Sequence, residues 1–150
     1  MSFGANYLLE TRKANVELEK THAIETRQSL QTLSNHLVLL DLKLGNLVTT
    51  IELVPHYGSN SKLSVFAKKS IGHVAEQMGL IFADVQSPRI RTDVAGHVRE
   101  ILDALGPRLE QAQNDMKNIG GLAELYKTEL KERMKKVQGE IDQTIRRTGL

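Results

Sequence analysis

Every seventh residue from Leu9 is apolar, and the row Leu9, Val16, Ala23, Leu30, Leu37, Leu44 and Ile51 runs without a break. From the middle of this stretch a second row joins at Leu33, Leu40, Leu47 and Val54, giving the spacing of a seam between coiled helices. In the first half the companion positions are Arg12, Glu19 and Thr26, so the stripe there is thin, helped only by Leu8, Leu18 and Ile24. The second half is wide, broadened further by Leu39 and Leu42, and a wide face predicts contact with more than one helix. The pattern predicts one helix over about residues 5–54, divided into a thin-striped arm at 5–30 and a wide-striped trunk at 31–54. At 1.5 Å per residue it is about 75 Å long. A compact chain of this length is only about 40 Å across. Part of the helix must therefore project, and projecting apolar residues call for another chain.

Pro55 is expected to stop this helix, with residues 56–61 as a turn-rich connection. A second helix is predicted at 62–83, with Val65, Ile71, Val74, Met78, Ile81 and Val85 as its stripe. Ser87-Pro88 reads as a helix start, a Ser N-cap followed by Pro in the first turn. The third helix carries Ile90, Val94, Val98, Ile101, Leu102 and Leu105, and Gly106-Pro107 reads as its end. A fourth segment, 108–147, repeats Leu109, Met116, Ala123, Leu130 and Val137 at spacing seven. Two successive glycines, Gly120-Gly121, should break or kink it, at a cost of about 2 kcal/mol relative to alanine. The fold class is all-α: a long N-terminal heptad-patterned helix, a short helical hairpin and a long C-terminal helix, in a helical bundle or coiled coil. Residues 1–54, 55–106 and 107–150 are its parts, treated as one domain.

Composition narrows the picture. With six aromatic residues in 150 and no Trp, the core must be built from Leu, Ile, Val, Ala and Met, which suits seams between helices. Twenty basic and eighteen acidic residues leave a formal charge of +2, and no third of the chain departs far from neutrality. The three parts carry five basic and six acidic, six and five, and nine and seven residues. Nucleic-acid recognition wants Lys and Arg gathered on one face, so a nucleic-acid partner is not expected. With no Cys there is no thiolate nucleophile or zinc–thiolate site. The first residues lack a basic stretch followed by an apolar run, so no secretory signal is predicted, and the expected location is inside the cell or within a large assembly. The most apolar window, 37–54, is interrupted by Asp41, Lys43, Asn46 and Glu52, and so no membrane span is expected.

The best chemical candidate is an echo: residues 72–76 and 96–100 both read Gly-His-Val-x-Glu. If the second and third helices form a symmetric hairpin, His73 faces Glu100 and Glu76 faces His97. Two histidines and two carboxylates could hold a divalent metal, although bundles with paired metals use the order Glu-x-x-His. The simpler reading is a pair of interhelical His–Glu hydrogen bonds; no cofactor is expected. His22, His36 and His56 have no evident companions, and His36 beside the seam is read as register-setting or solvated. Around Lys135-Lys136, Glu129 and Glu132 alternate with Lys131 and Arg133, the pattern of a solvated, salt-bridged face. Gly72 and Gly79, with Ala67, Ala75 and Ala83, predict close approach of another helix.

The expected function is that of a non-enzymatic structural or assembly subunit that oligomerises, with itself or with other protein subunits, through helix packing. Its expected seam is Leu9, Val16, Ala23, Leu30, Leu33, Leu37, Leu40, Leu44, Leu47 and Ile51. A viral (phage) virion or tail component is the leading setting, on fold-level analogy. The alternatives are a nucleic-acid-binding or regulatory module using the C-terminal basic face, and a metal-binding helical protein at His73, Glu76, His97 and Glu100.

Overall fold

A computed structural model describes residues 3–57 and 61–149, with side-chain surroundings given for 7–53 and 65–149. The chain is all-α, and no strand occurs among the described residues. Helix α1 is Phe3–Tyr57, α2 is Ser61–Asp84 and α3 is Thr92–Asn114. After a single 3-10 turn, Met116–Asn118, the chain rises as α4, Ile119–Leu125. It continues through a π-helical turn, Tyr126–Leu130, into α5, Lys131–Arg147. Each helix packs on the next, and α4 and α5 return to α1, so four helical rods close a ring.

The trunk of α1 is one wall of the core. Leu30, Leu33, Leu37, Leu40, Leu44 and Leu47 are fully buried, with Val48 beside them. Facing them are Ile71, Val74 and Ile81 of α2, Val98, Ile101 and Leu105 of α3, and Leu122, Leu130 and Ile141 of the C-terminal rod. Removing such side chains from water contributes roughly 1.5–3 kcal/mol each. This is the dominant force holding the ring closed. Toward the N-terminus the cover thins after Leu30 and ends near residue 22: residues 7–22 are all exposed.

The helices ignore two of the three prolines. α1 runs two residues past Pro55 to Tyr57, and α3 runs through Pro107 to Asn114. A proline in a helix costs about 3 kcal/mol. In α3, burial of Leu109 and Ala112 beyond the proline offsets it. The C-terminal break comes at Asp115, which takes an extended conformation and whose carboxylate accepts the Lys117 N–H at 3.0 Å. Gly120 and Gly121 lie inside the first turns of α4, and Leu109 belongs to α3 rather than to the fourth segment. Ser87-Pro88 is likewise not a helix start. It begins a turn in which Ile90 N–H donates to the Ser87 carbonyl at 3.2 Å and Arg89 N–H donates to Ser87 Oγ at 3.2 Å. Ser before Pro is favoured in the first two positions of such a turn for the same reasons as at a helix start. Buried Val85 and Ile90 pin the loop, and α3 opens at Thr92, with Asp93 accepting the Val94 N–H at 3.0 Å.

Two expected packing features fall differently. Val65 is exposed rather than part of the α2 core stripe. A methyl group placed on Gly72 or Gly79 would meet nothing within 4 Å, so these glycines mark no close helix approach. Residues 58–60 of the expected connection lie outside the described residues, and so do the side chains of Val54 and His56.

Candidate functional site

The interior polar contacts fix how the rods sit. On α1, His36 and Lys43 are one heptad apart; on α2, so are Gln77 and Asp84. His36 Nδ1 meets Asp84 Oδ2 at 2.5 Å, and Lys43 Nζ donates to Gln77 Oε1 at 2.9 Å. Gln77, 2% exposed, completes its bonding by donating from Nε2 to the His36 carbonyl at 3.0 Å. Paired numbers in both rungs add to 120, which fixes the antiparallel register of α1 on α2. Against the C-terminal rod, Ser34 Oγ donates to Gln138 Oε1 at 2.7 Å, and Gln138 Nε2 donates back to the Ser34 carbonyl at 3.1 Å. The Tyr126 hydroxyl donates to Asp41 Oδ1 at 2.7 Å over Gly45, where a Cβ would lie 3.4 Å from the phenol oxygen. Burial and the adjacent carboxylate both push the Tyr126 phenol above its ordinary range.

The base of the arm is tied to the turn after α2. Arg89 Nη2 donates to Glu25 Oε2 at 2.7 Å, and its other terminal nitrogen meets Nδ1 of His22. His22 and His36, which showed no companions in the sequence, thus both have partners on the hairpin. The signal for His36 was available: polar residues one heptad apart on both α1 and α2 mark facing rungs.

The Gly-His-Val-x-Glu echo does not assemble as expected. His73 and Glu76 are exposed on α2. His97 instead meets Glu140 of α5, at 2.8 Å from Nδ1 to Oε2, in a shallow cleft that also includes Glu100, Arg133, Lys136 and Val137. The hydrogen bond and charge of Glu140 raise the His97 pKa above its ordinary value, slight desolvation opposing and Glu100 and Asp93 adding smaller pulls. His73, Glu76, His97 and Glu100 therefore form no common site. Among the described residues no three His, Asp or Glu side chains converge as metal ligands. The C-terminal basic face is interleaved with acid: Arg133 pairs with Glu129 at 3.8 Å on the same helix, and Lys127 pairs with Glu52 of α1.

What stands out is apolar surface on α1. Of the expected oligomer seam, the six leucines from Leu30 to Leu47 are sealed in the chain's own core, and Ile51 is partly buried against it. They are closed to another chain. Ala23 is half-buried, and only Leu9 and Val16, 57% and 47% exposed, are open. The reason is reach. Among the described residues, no helix of the head lies beside residues 7–22, which are exposed at every angle, so the row is covered only from Ala23 onward. Its drift of about 20° per heptad adds only about 60° between Leu9 and Leu30. Conversely Leu39 and Leu42, expected to widen the seam, point to solvent together with Val38 and Leu53. No helix among the described residues is long and apolar enough to cross a membrane.

No protein-family model, curated protein or solved structure matches the chain.

Proposed function

We propose that this protein is a non-enzymatic assembly subunit, in which the four-rod body is a head and the N-terminal part of α1 is an arm that packs against helices of other subunits. The observation carrying this reading is that one uninterrupted helix spans Phe3–Tyr57 while its first fully buried residue is Leu30. About 20 residues, on the order of 30 Å at 1.5 Å per residue, stand clear of the head. Tyr7, Leu8, Leu9, Val16, Leu18 and Ile24 are 46–70% exposed along that length. An isolated helix of this length is marginal in water, and apolar side chains held on it gain by leaving water. Fold-level analogy alone makes a phage virion or tail component the leading setting.

Sedimentation velocity combined with amide hydrogen exchange on the full chain tests the proposal. The expected result is a species heavier than the monomer in which arm amides are protected. A monomer at every accessible concentration, in which only amides beyond residue 30 are protected, would overturn the self-assembling form of this reading.

A further inference from the structure

Resting on the assembly reading above, we infer that the partner of the arm is the trunk of a second copy, the two α1 helices lying antiparallel about a two-fold axis near Gln31. The unpartnered apolar residues of α1 are not confined to the arm. At 100° per residue, Leu9, Val16, Ile24, Val38, Leu42 and Leu53 fall within one sector of about 100°. In the trunk, the Val16 edge of this sector runs along Ser34 and Glu52 beside the C-terminal rod, and its other edge is open. All six are 42–58% exposed. The arm and trunk therefore carry exposed apolar residues in one sector from Leu9 to Leu53, a stripe interrupted between Ile24 and Val38 by Arg27, Gln31 and Asn35.

Antiparallel pairing about Gln31 matches its two ends. Leu9 meets Leu53 of the second copy and Ile24 meets Val38, each contact occurring twice, as a two-fold interface requires. Charge decides the direction. The arm half of the stripe contains Lys13, Lys20 and Arg27, whereas the trunk half is occupied by Asn35, Leu42 and Thr49 at the matching positions. Parallel pairing in register would set each of the three cations against its own copy. Antiparallel pairing sets them against the neutral positions, where a lysine stem can lie along Leu42 with its ammonium in water. The same pairing sets Glu10 at the position matching Glu52, whose charge Lys127 of its own chain already offsets. The stripe is about 66 Å long and about 10 Å wide, on the order of 660 Å² per copy, close to the ~800 Å² per partner of stable interfaces.

The native chain has no cysteine, so single cysteines report cleanly. Gln31→Cys, exposed and on the axis, should form an intermolecular disulfide at least tenfold faster than Leu18→Cys, which is exposed on the opposite side of the helix. Val38→Asp, on the trunk, should weaken association at least tenfold, as much as Val16→Asp does on the arm, with helicity unchanged by circular dichroism. An oligomer in which the Gln31→Cys variant cross-links no faster than the Leu18→Cys variant, or that tolerates Val38→Asp, overturns the antiparallel pairing and leaves the assembly reading standing. A wild-type chain that stays monomeric overturns this pairing and the self-assembling form of the assembly reading together.

Discussion

Tyr126 closes the C-terminal rod onto α1 through its hydroxyl, which donates to Asp41 at 2.7 Å across Gly45. This contact joins two side chains 85 positions apart at the site of the π-helical turn. Tyr126→Phe keeps the ring but leaves the part-buried Asp41 carboxylate without this donor. A loss of about 1–3 kcal/mol in urea unfolding is expected. Because the folded state raises the phenol pKa, its contribution to stability is complete below pH 10 and is lost as pH rises above that value. Stability of the wild type should fall more steeply than that of the Phe variant on the alkaline side. Parallel slopes for the two proteins would contradict the assignment.

Leu40 and Val16 occupy the same sequence pattern but different environments. Leu40 is fully buried in the head and Val16 is 47% exposed. Leu40→Asp places an unpaired charge in the core, and a loss above about 4 kcal/mol is expected. It should unfold the head rather than merely dissociate it. Compared at concentrations where both proteins are monomeric, Val16→Asp should leave the stability of the head within about 0.5 kcal/mol of wild type. Equal destabilisation by both would show that the arm folds back on the head.

Gly72, Gly79 and Gly96 lie in helices with room for a methyl group. Each change to Ala should stabilise by about 0.5–1 kcal/mol, because glycine loses more backbone freedom on folding. Thermal melts of the three single variants provide the check, and a lowered midpoint at any of them would reveal a contact at that site.

His97 should titrate above its ordinary value of 6.5 while Glu140 is present. Since the folded pKa is raised, the stabilising effect of the pair is complete below pH 6.5 and fades as pH rises through the folded value. Proton NMR of the imidazole gives the midpoint directly. Glu140→Gln should lower it, while Glu76→Gln should not move it. The opposite result would restore the symmetric hairpin pairing.

The helices, their buried stripes and the split of α1 were legible because burial follows the 3.6-residue period. Val94, Val98, Ile101 and Leu105 are all buried, as the period requires. Helix ends were less legible, since Gly106-Pro107 and Ser87-Pro88 are local signals that tertiary burial or turn chemistry can redirect. Leu39 and Leu42 were misplaced because counting apolar residues measures the width of a face without its angle. The partner of His97 lies 43 residues away, on a rod the five-residue echo cannot specify. The π turn did leave a trace. Leu122, Tyr126, Leu130 and Met134 are buried at steps of four. Three such steps overrun an α-helical turn by about 120°, and a wider turn brings the row back to the core.

Arm and trunk are one shaft, with no joint between Phe3 and Tyr57. The direction in which the arm offers its apolar edge is therefore set by residue count, like a key cut at a fixed angle to its bow. Adding one residue between Ala23 and Leu30 would leave the head's core leucines in place and turn the edge by about 100°. Four would nearly restore it. In any assembly built through this edge, the length of that short stretch is a steering angle, and insertions there would redirect growth while sparing the head's core, at the loss of the Arg89 ties to Glu25 and His22.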